Sequence, residues 1–126
     1  MRSARTRGNP PSLADVVHRA GEVVDPEGSN DGVWDLVDRF ADHDEPVTGE
    51  VDVVEELVAE IKGAIDPQDE DGQVVMAAAV ATYLAFRRTE IERDPVELLR
   101  LAARAEFDGQ PPAVAADWLA AQGVEL

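Results

Sequence analysis

The feature that most constrains the fold is an apolar segment, Val74 to Phe86, in the middle of the chain. Only Thr82 interrupts its run of apolar side chains. A helix made from this segment is apolar on nearly every side, and such a helix must be surrounded by other elements. A bilayer crossing needs about 20 apolar residues, so the segment is too short for one. The sequence therefore predicts a central helix, enclosed by other helices or by a second copy of the chain.

Apolar residues recur at helical spacing through most of the remaining chain. Ser12 and Asp15 match the capping box of a helix start, and Asp94-Pro95 with Glu97 matches another. Turn sequences such as "DPEGSN" and "DGQPP" separate the helical segments. These signals predict an all-α fold, a compact bundle of about five to six helices around a central Ala/Val-rich helix.

The chain is expected to divide into two parts of unequal size. Residues 1–12 contain three arginines, no acidic residue, Gly8 and two prolines, which predicts a flexible basic arm. Residues 13–126 are long enough to form a single helical domain with its own core.

The second strong constraint is charge. The 126 residues include 27 acidic and 11 basic side chains, for a formal net charge of −16, and Lys62 is the only lysine. This composition resembles that of cytosolic proteins from salt-accumulating archaea. Molar salt shortens the Debye length to about 3 Å and screens most of the self-repulsion. The resemblance implies a halophilic, cytoplasmic protein; an acidic mimic of nucleic acid is the alternative, although mimicry gives no reason to exclude lysine.

Several kinds of chemistry find no support in the sequence. The chain has no cysteine, which excludes disulfides and thiolate metal sites. No Gly-rich phosphate loop, nucleophile elbow or zinc-ligand spacing occurs. Asp15 and His18 form only half of a carboxylate–histidine metal pair, and we expect both His18 and His43 to be solvated or at an interface. The prediction is a protein without enzymatic activity and without a cofactor.

Residues 27–38, "EGSNDGVWDLVD", partly match a calcium-binding EF-hand loop. Gly32 stands at the sixth place, where that loop needs glycine. Glu27 is too long for the first ligand position, and Asp38 is too short to bind with both oxygens at the last. A helix whose first turn is rich in carboxylates explains the pattern equally well, so the prediction is no metal site. Calcium binding remains the second alternative function, with five weak candidate ligands: Glu27, Ser29, Asp31, Asp35 and Asp38.

Arginines gather in the arm and again in residues 87–105, which hold five arginines and four acidic residues. Together these arginines could hold phosphate backbones, which makes a nucleic-acid-associated regulator the first alternative function. Local ion pairs with neighbouring carboxylates explain most of the second group. The candidate nucleic-acid contacts are Arg2, Arg5, Arg7, Arg87, Arg88, Arg100 and Arg104.

The leading functional prediction is a small non-enzymatic helical module for interaction or assembly, which associates with itself. It rests on the central segment being apolar on all sides. Val75, Ala79 and Phe86 share one helical face and are the predicted contact residues. The expected partner is a second copy or another protein, nucleic acid is not favoured, and no membrane is expected.

Overall fold

The computed structural model describes residues 12–42, 51–63, 71–87 and 90–124. These residues form helices and no strands, which confirms the all-α prediction. The six helices are α1 (Leu13–Val24), α2 (Asp31–Arg39), α3 (Val51–Gly63), α4 (Gly72–Phe86), α5 (Pro95–Phe107) and α6 (Ala113–Ala121).

Helix α4 is the centre of the bundle, because each of the other five helices packs against it. Its side chains are buried on every side, as an apolar helix requires. The other helices of the chain thus enclose the apolar segment from Val74 to Phe86. The buried members of α4 include Val74, Met76, Ala77, Ala79, Val80, Ala81, Tyr83, Leu84 and Ala85.

The helices begin where capping residues satisfy their free backbone N–H groups. Ser12 Oγ accepts from the backbone N of Asp15 at 3.1 Å, and the Asp15 carboxylate accepts from the backbone N of Ser12 at 3.0 Å. The predicted capping box therefore forms. Asn30, Asp71 and Asp94 cap α2, α4 and α5 in the same way, through a side-chain oxygen.

Helix α1 packs one apolar face against the core. Its members are buried, and full burial of a valine or leucine side chain stabilises the fold by about 1.5–3 kcal/mol. Helix α5 also buries one face, on which Ala103 is buried while Ala105 is exposed. The buried residues of α1 are Leu13, Val16, Val17, Ala20, Gly21, Val23 and Val24.

Gly72 sets the distance between α4 and α6. A Cβ atom added at this position would lie 2.2 Å from the carbonyl oxygen of Val114 and 3.1 Å from Cβ of Trp118. The absence of a side chain therefore lets the start of α4 approach the backbone of α6 closely.

Within the described ranges, no helix combines the length and the hydropathy needed to cross a membrane. The predicted basic arm lies outside the described residues except for Ser12, which caps α1. His43 also lies outside them.

Candidate functional site

The carboxylate of Asp25, at the turn between α1 and α2, is a buried polar group with several hydrogen bonds. Asp25 is only 3% exposed. Its carboxylate accepts hydrogen bonds from the backbone N of Asn30 at 2.6 Å, from Trp34 Nε1 at 3.0 Å and from Ser29 Oγ at 3.2 Å. Its backbone N donates to the Gly21 carbonyl at 2.8 Å and ends α1. One carboxylate thus organises the whole turn.

Burial and hydrogen bonding act on Asp25 in opposite directions. Burial is the largest single influence and raises the pKa of this carboxyl. The hydrogen bonds from Asn30, Ser29 and Trp34 favour the ionised form, and together they hold the pKa below its usual value of 3.8. Asp25 is therefore a charged acceptor in the folded protein at neutral pH.

Asn30 extends this network to the central helix. Its Nδ2 donates to Asp71 Oδ2 at 2.9 Å and to Gln73 Oε1 at 2.8 Å. Gln73 Nε2 in turn donates to the Val24 carbonyl at 2.8 Å. Amide and carboxylate groups thereby tie the α1–α2 turn to the first turn of α4, and the arrangement is structural.

The geometry of residues 27–38 gives the calcium-loop hypothesis no support. In the hypothetical loop Asp31 is the fifth residue, yet it is already the first residue of helix α2. The last three candidate ligands therefore lie on successive turns of one helix and do not surround a common centre. Ser29 donates its hydroxyl to Asp25, and the other four candidates are exposed: Glu27, Asp31, Asp35 and Asp38. Among the residues that the structure describes, no group of three or more His, Asp or Glu side chains could hold a metal ion.

His18 is exposed on α1 and contacts the edge of Trp34, with the ring centroids 5.7 Å apart. The Asp15 carboxylate, which the sequence paired with His18 as a partial metal motif, belongs to the capping box of α1. The described contacts of both residues are structural.

A second polar cluster holds the connection between α4 and α5. The Tyr83 hydroxyl donates to Glu90 Oε1 at 2.9 Å, and Arg93 forms two hydrogen bonds with the same carboxylate, at 2.8 and 3.1 Å. The guanidinium of Arg87 lies over the Tyr83 ring, 5.1 Å from its centroid. Arg87 and Glu90 thus both contact Tyr83.

The pKa values in this cluster follow from those contacts. Burial, and then the Glu90 carboxylate, raise the pKa of Tyr83 above its usual 10.0. The Arg93 hydrogen bond, followed by that of Tyr83, lowers the pKa of Glu90 below its usual 4.5. The neutral phenol and the ionised carboxylate therefore stabilise each other at neutral pH.

Helix α1 also fixes this connection, through Arg19. Arg19 Nε donates to the Ile91 carbonyl at 2.8 Å, and its terminal NH2 group donates to the Arg93 carbonyl at 3.1 Å. The connection between α4 and α5 is therefore held from two helices, by Arg19 of α1 and Tyr83 of α4. Sequence reasoning missed Arg19 because its acceptors are carbonyl groups more than seventy positions away.

Only some of the arginines predicted to contact phosphate lie within the described residues. Arg87 is exposed above Tyr83, Arg100 pairs with Glu97 at 3.1 Å, and Arg104 is exposed on α5. Arg93 and Arg100 thus form local ion pairs, as the ion-pair interpretation of this cluster expects. Four candidates lie outside the described residues: Arg2, Arg5, Arg7 and Arg88.

The three residues predicted as the contact face of α4 are covered to different degrees by the other helices of the chain. Val75 is half-buried and Ala79 is only 5% exposed, so Ala79 belongs to the core and not to a free surface. Phe86, the third predicted contact, is 41% exposed at the end of the helix. A helix that is apolar on all sides gives no sign of which face its neighbours in the same chain cover.

A second exposed apolar residue, besides Phe86, lies in the next helix. Val96, in the first turn of α5, is also 41% exposed, and the two are the exposed large hydrophobic residues of the described structure. Arg87 and Glu92 are exposed within the connection that joins these helices. We call these four exposed residues, which lie at the end of α4, in the connection and in the first turn of α5, the α4–α5 end: Phe86, Arg87, Glu92 and Val96.

Comparisons with models of protein families, with curated proteins and with solved structures found no match to this chain.

Proposed function

We propose that the protein is a small non-enzymatic helical interaction module of a salt-rich cytoplasm, and that it associates with itself through the α4–α5 end. The observation that carries the proposal is the exposure of Val96 within residues 87–105, the least acidic part of the helical domain, and of Phe86 immediately before them. Aromatic side chains are enriched at protein interfaces, while carboxylates are depleted from interface cores.

Charge favours this surface over the rest of the molecule. Residues 13–86 carry 19 acidic and three basic side chains, whereas residues 87–105 carry four acidic and five basic ones. Two copies with a net charge of −16 repel each other, and the repulsion is smallest where the local charges balance. Contact through the α4–α5 end therefore costs less electrostatic free energy than contact through the acidic helices.

The two polar clusters support a structural and not a catalytic assignment. Asp25 holds the α1–α2 turn, and Tyr83 with Glu90 holds the α4–α5 connection. The second cluster lies next to Phe86 in the chain. It fixes the backbone on either side of this proposed contact residue.

Sedimentation equilibrium in multimolar KCl, over a wide protein concentration range, tests the proposal. The wild type is expected to form a reversible oligomer, and Phe86→Ser is expected to raise its Kd by at least about tenfold, equivalent to about 1.4 kcal/mol. Val75→Ser is the comparison variant, because it removes an apolar side chain from the other end of α4 and should leave the Kd nearly unchanged. A wild type that remains monomeric at every concentration contradicts the proposal.

A further inference from the structure

We infer that the turn between α5 and α6 is a site of spontaneous backbone modification, at which Asp108 converts to isoaspartate. The sequence contains three Asp–Gly pairs, at residues 31–32, 71–72 and 108–109. Such pairs favour this reaction because glycine has no side chain to hinder attack by its own nitrogen. The structure describes all three pairs and leaves the last one the least protected. The inference does not depend on the proposed self-association.

The reaction takes place within the chain and needs only water. The amide nitrogen of Gly109 attacks Cγ of Asp108, and the hydroxyl of the protonated carboxyl leaves with the amide proton as water. A succinimide ring results. Water then opens the ring at either carbonyl: cleavage at Cγ restores aspartate, while cleavage at the α-carbonyl gives isoaspartate. In isoaspartate the backbone runs through Cβ and Cγ, and the former carbonyl group is a carboxylate.

The conformation of Asp108 leaves this pair room to rotate. Asp108 ends α5 in the left-handed region, with φ 54° and ψ 31°, which residues with a side chain adopt uncommonly. Gly109 follows with φ 79°, and nothing lies within 4 Å of the position of a Cβ atom there. The Asp108 side chain is exposed and makes no hydrogen bond or ion pair with a described residue. Packing therefore does little to oppose the rotation that ring closure requires.

The attacking nitrogen is also weakly held. The backbone N of Gly109 donates to the Ala103 carbonyl at 3.3 Å, longer than the usual range for an N–H···O bond. The backbone N of Asp108 donates to the same carbonyl. The ends of helices fray, and local opening costs least where few contacts are lost. The nitrogen of Gly109 is therefore released more easily than a nitrogen inside a packed helix.

The pair Asp71–Gly72 is protected by its contacts on both sides. Asp71 Oδ1 accepts from the backbone N of Gln73 at 2.9 Å, and Oδ2 accepts from Asn30 Nδ2 at 2.9 Å. Gly72 is buried where α4 approaches the carbonyl of Val114 in α6. Ring closure here would break the cap of the central helix and move α4 away from α6.

The pair Asp31–Gly32 is exposed but lies in the first turn of α2. The backbone N of Val33 donates to the Asn30 carbonyl at 3.1 Å, and a Cβ atom at Gly32 would lie 3.0 Å from Cγ2 of Val74. Rotation about Asp31 would therefore open the start of the helix and disturb its contact with α4. Exposure alone does not make an Asp–Gly pair reactive.

Peptide mapping of aged full-length protein tests the inference. The protein is incubated in multimolar KCl below its unfolding transition, sampled over time and digested with trypsin. Cleavage after arginine and lysine places the three pairs in separate peptides, residues 20–39, 63–87 and 105–126. Electron-transfer fragmentation distinguishes isoaspartate from aspartate at each position. Isoaspartate is expected at Asp108 at least about tenfold faster than at Asp31 or Asp71, because local opening at the other two loses more contacts.

The same incubation in urea, with the chain unfolded, separates the effect of the fold from that of the sequence. All three pairs are then expected to react at similar rates, so the preference for Asp108 should disappear. A folded protein in which the three pairs react equally fast, or in which Asp31 or Asp71 reacts first, overturns the inference. Isoaspartate at Asp108 that forms only in urea also overturns it.

Two substitutions check the chemistry at the reacting carbon. Asp108→Glu keeps the charge but lengthens the side chain, which disfavours ring closure, so the modification in residues 105–126 is expected to disappear. Asp117→Glu makes the same change at an exposed aspartate on α6 that tryptophan follows, and should leave the rate at Asp108 unchanged. Modification of residues 105–126 that persists in Asp108→Glu would place the reaction elsewhere and contradict the assignment.

Discussion

The indole Nε1 of Trp34 donates to the buried carboxylate of Asp25 at 3.0 Å and so joins the first turns of α2 to the end of α1. The same carboxylate receives the backbone N of Asn30 and the hydroxyl of Ser29. An ionised carboxylate is an acceptor only, which suits a position that every neighbour approaches with a donor. The turn between α1 and α2 therefore depends on the charge state of one side chain.

Asp25→Asn is expected to destabilise the protein by about 1–3 kcal/mol, the usual cost of leaving a buried polar group unsatisfied. Asn30 and Trp34 donate to the same oxygen, Oδ2, and Ser29 donates to Oδ1. An amide that keeps the first two bonds lacks the negative charge that strengthens them, and its NH2 group replaces the acceptor that Ser29 uses. Chemical denaturation followed by circular dichroism measures the difference. Asp35→Asn changes an exposed carboxylate on α2 and should lie within about 0.5 kcal/mol of the wild type.

The contribution of Asp25 should also depend on pH. Hydrogen bonds hold its pKa in the folded state below the usual value of 3.8, despite the opposing effect of burial. The unfolded chain therefore binds the proton more readily, and the contribution is fully present above the unfolded pKa and lost as pH falls through the folded one. The free-energy difference between the wild type and Asp25→Asn is expected to shrink below about pH 4. A difference that stays constant down to the acid transition would contradict this account.

The single tyrosine gives a direct measure of the second cluster. Burial and Glu90 raise the pKa of Tyr83, so its spectrophotometric titration in the folded protein should have a midpoint above 10.0. Because the pKa is raised, the stability that Tyr83 contributes is present below the unfolded pKa and is lost as pH rises through the folded one. Glu90→Gln removes the nearby negative charge and is expected to lower the midpoint. Glu97→Gln, which removes the partner of Arg100, should leave it unchanged.

Gly72→Ala is expected to destabilise the fold by about 1–3 kcal/mol, a typical cost of overpacking. The new methyl group would overlap the Val114 carbonyl, which is backbone and cannot rotate away, so α4 and α6 must separate. Gly63→Ala is the control, since nothing lies within 4 Å of the position of its Cβ. Thermal unfolding of both variants checks the comparison, and equal transition temperatures would show that α6 does not pack as closely as described.

Much of the fold could be predicted because its signals are local. Ser12 and Asp15 are three residues apart, and they form the capping box that their spacing predicts. Asp94 caps α5 with Pro95 in its first turn, also as the sequence indicates. The central position of residues 74–86 follows from hydropathy alone, because an apolar surface on every side must be covered.

The polar clusters could not be predicted because their partners are distant in sequence. Asn30 binds Asp71 and Gln73, which lie 41 and 43 residues away, and no periodicity connects such positions. The calcium-loop pattern gains no support for the opposite reason: its spacing is local, but α2 begins at Asp31 and places the last three candidate ligands along one helix. Hydropathy predicts that α4 is covered by other elements. It does not predict that Ala79 is buried while Phe86 stays exposed.

Salt dependence separates the proposed self-association from the alternative of nucleic-acid binding. Two copies with a net charge of −16 repel each other, and added KCl screens this repulsion while leaving the apolar contact of Phe86 intact. The dimer is therefore expected to tighten as KCl rises. Arginine contacts to a phosphate backbone release counterions, so their affinity falls steeply over the same range. Sedimentation equilibrium and an electrophoretic mobility shift with duplex DNA, both run in a KCl series, measure the two trends. A dimer that weakens with salt would mean that ion pairs and not apolar burial hold it together, because only the ionic contribution decreases when charges are screened.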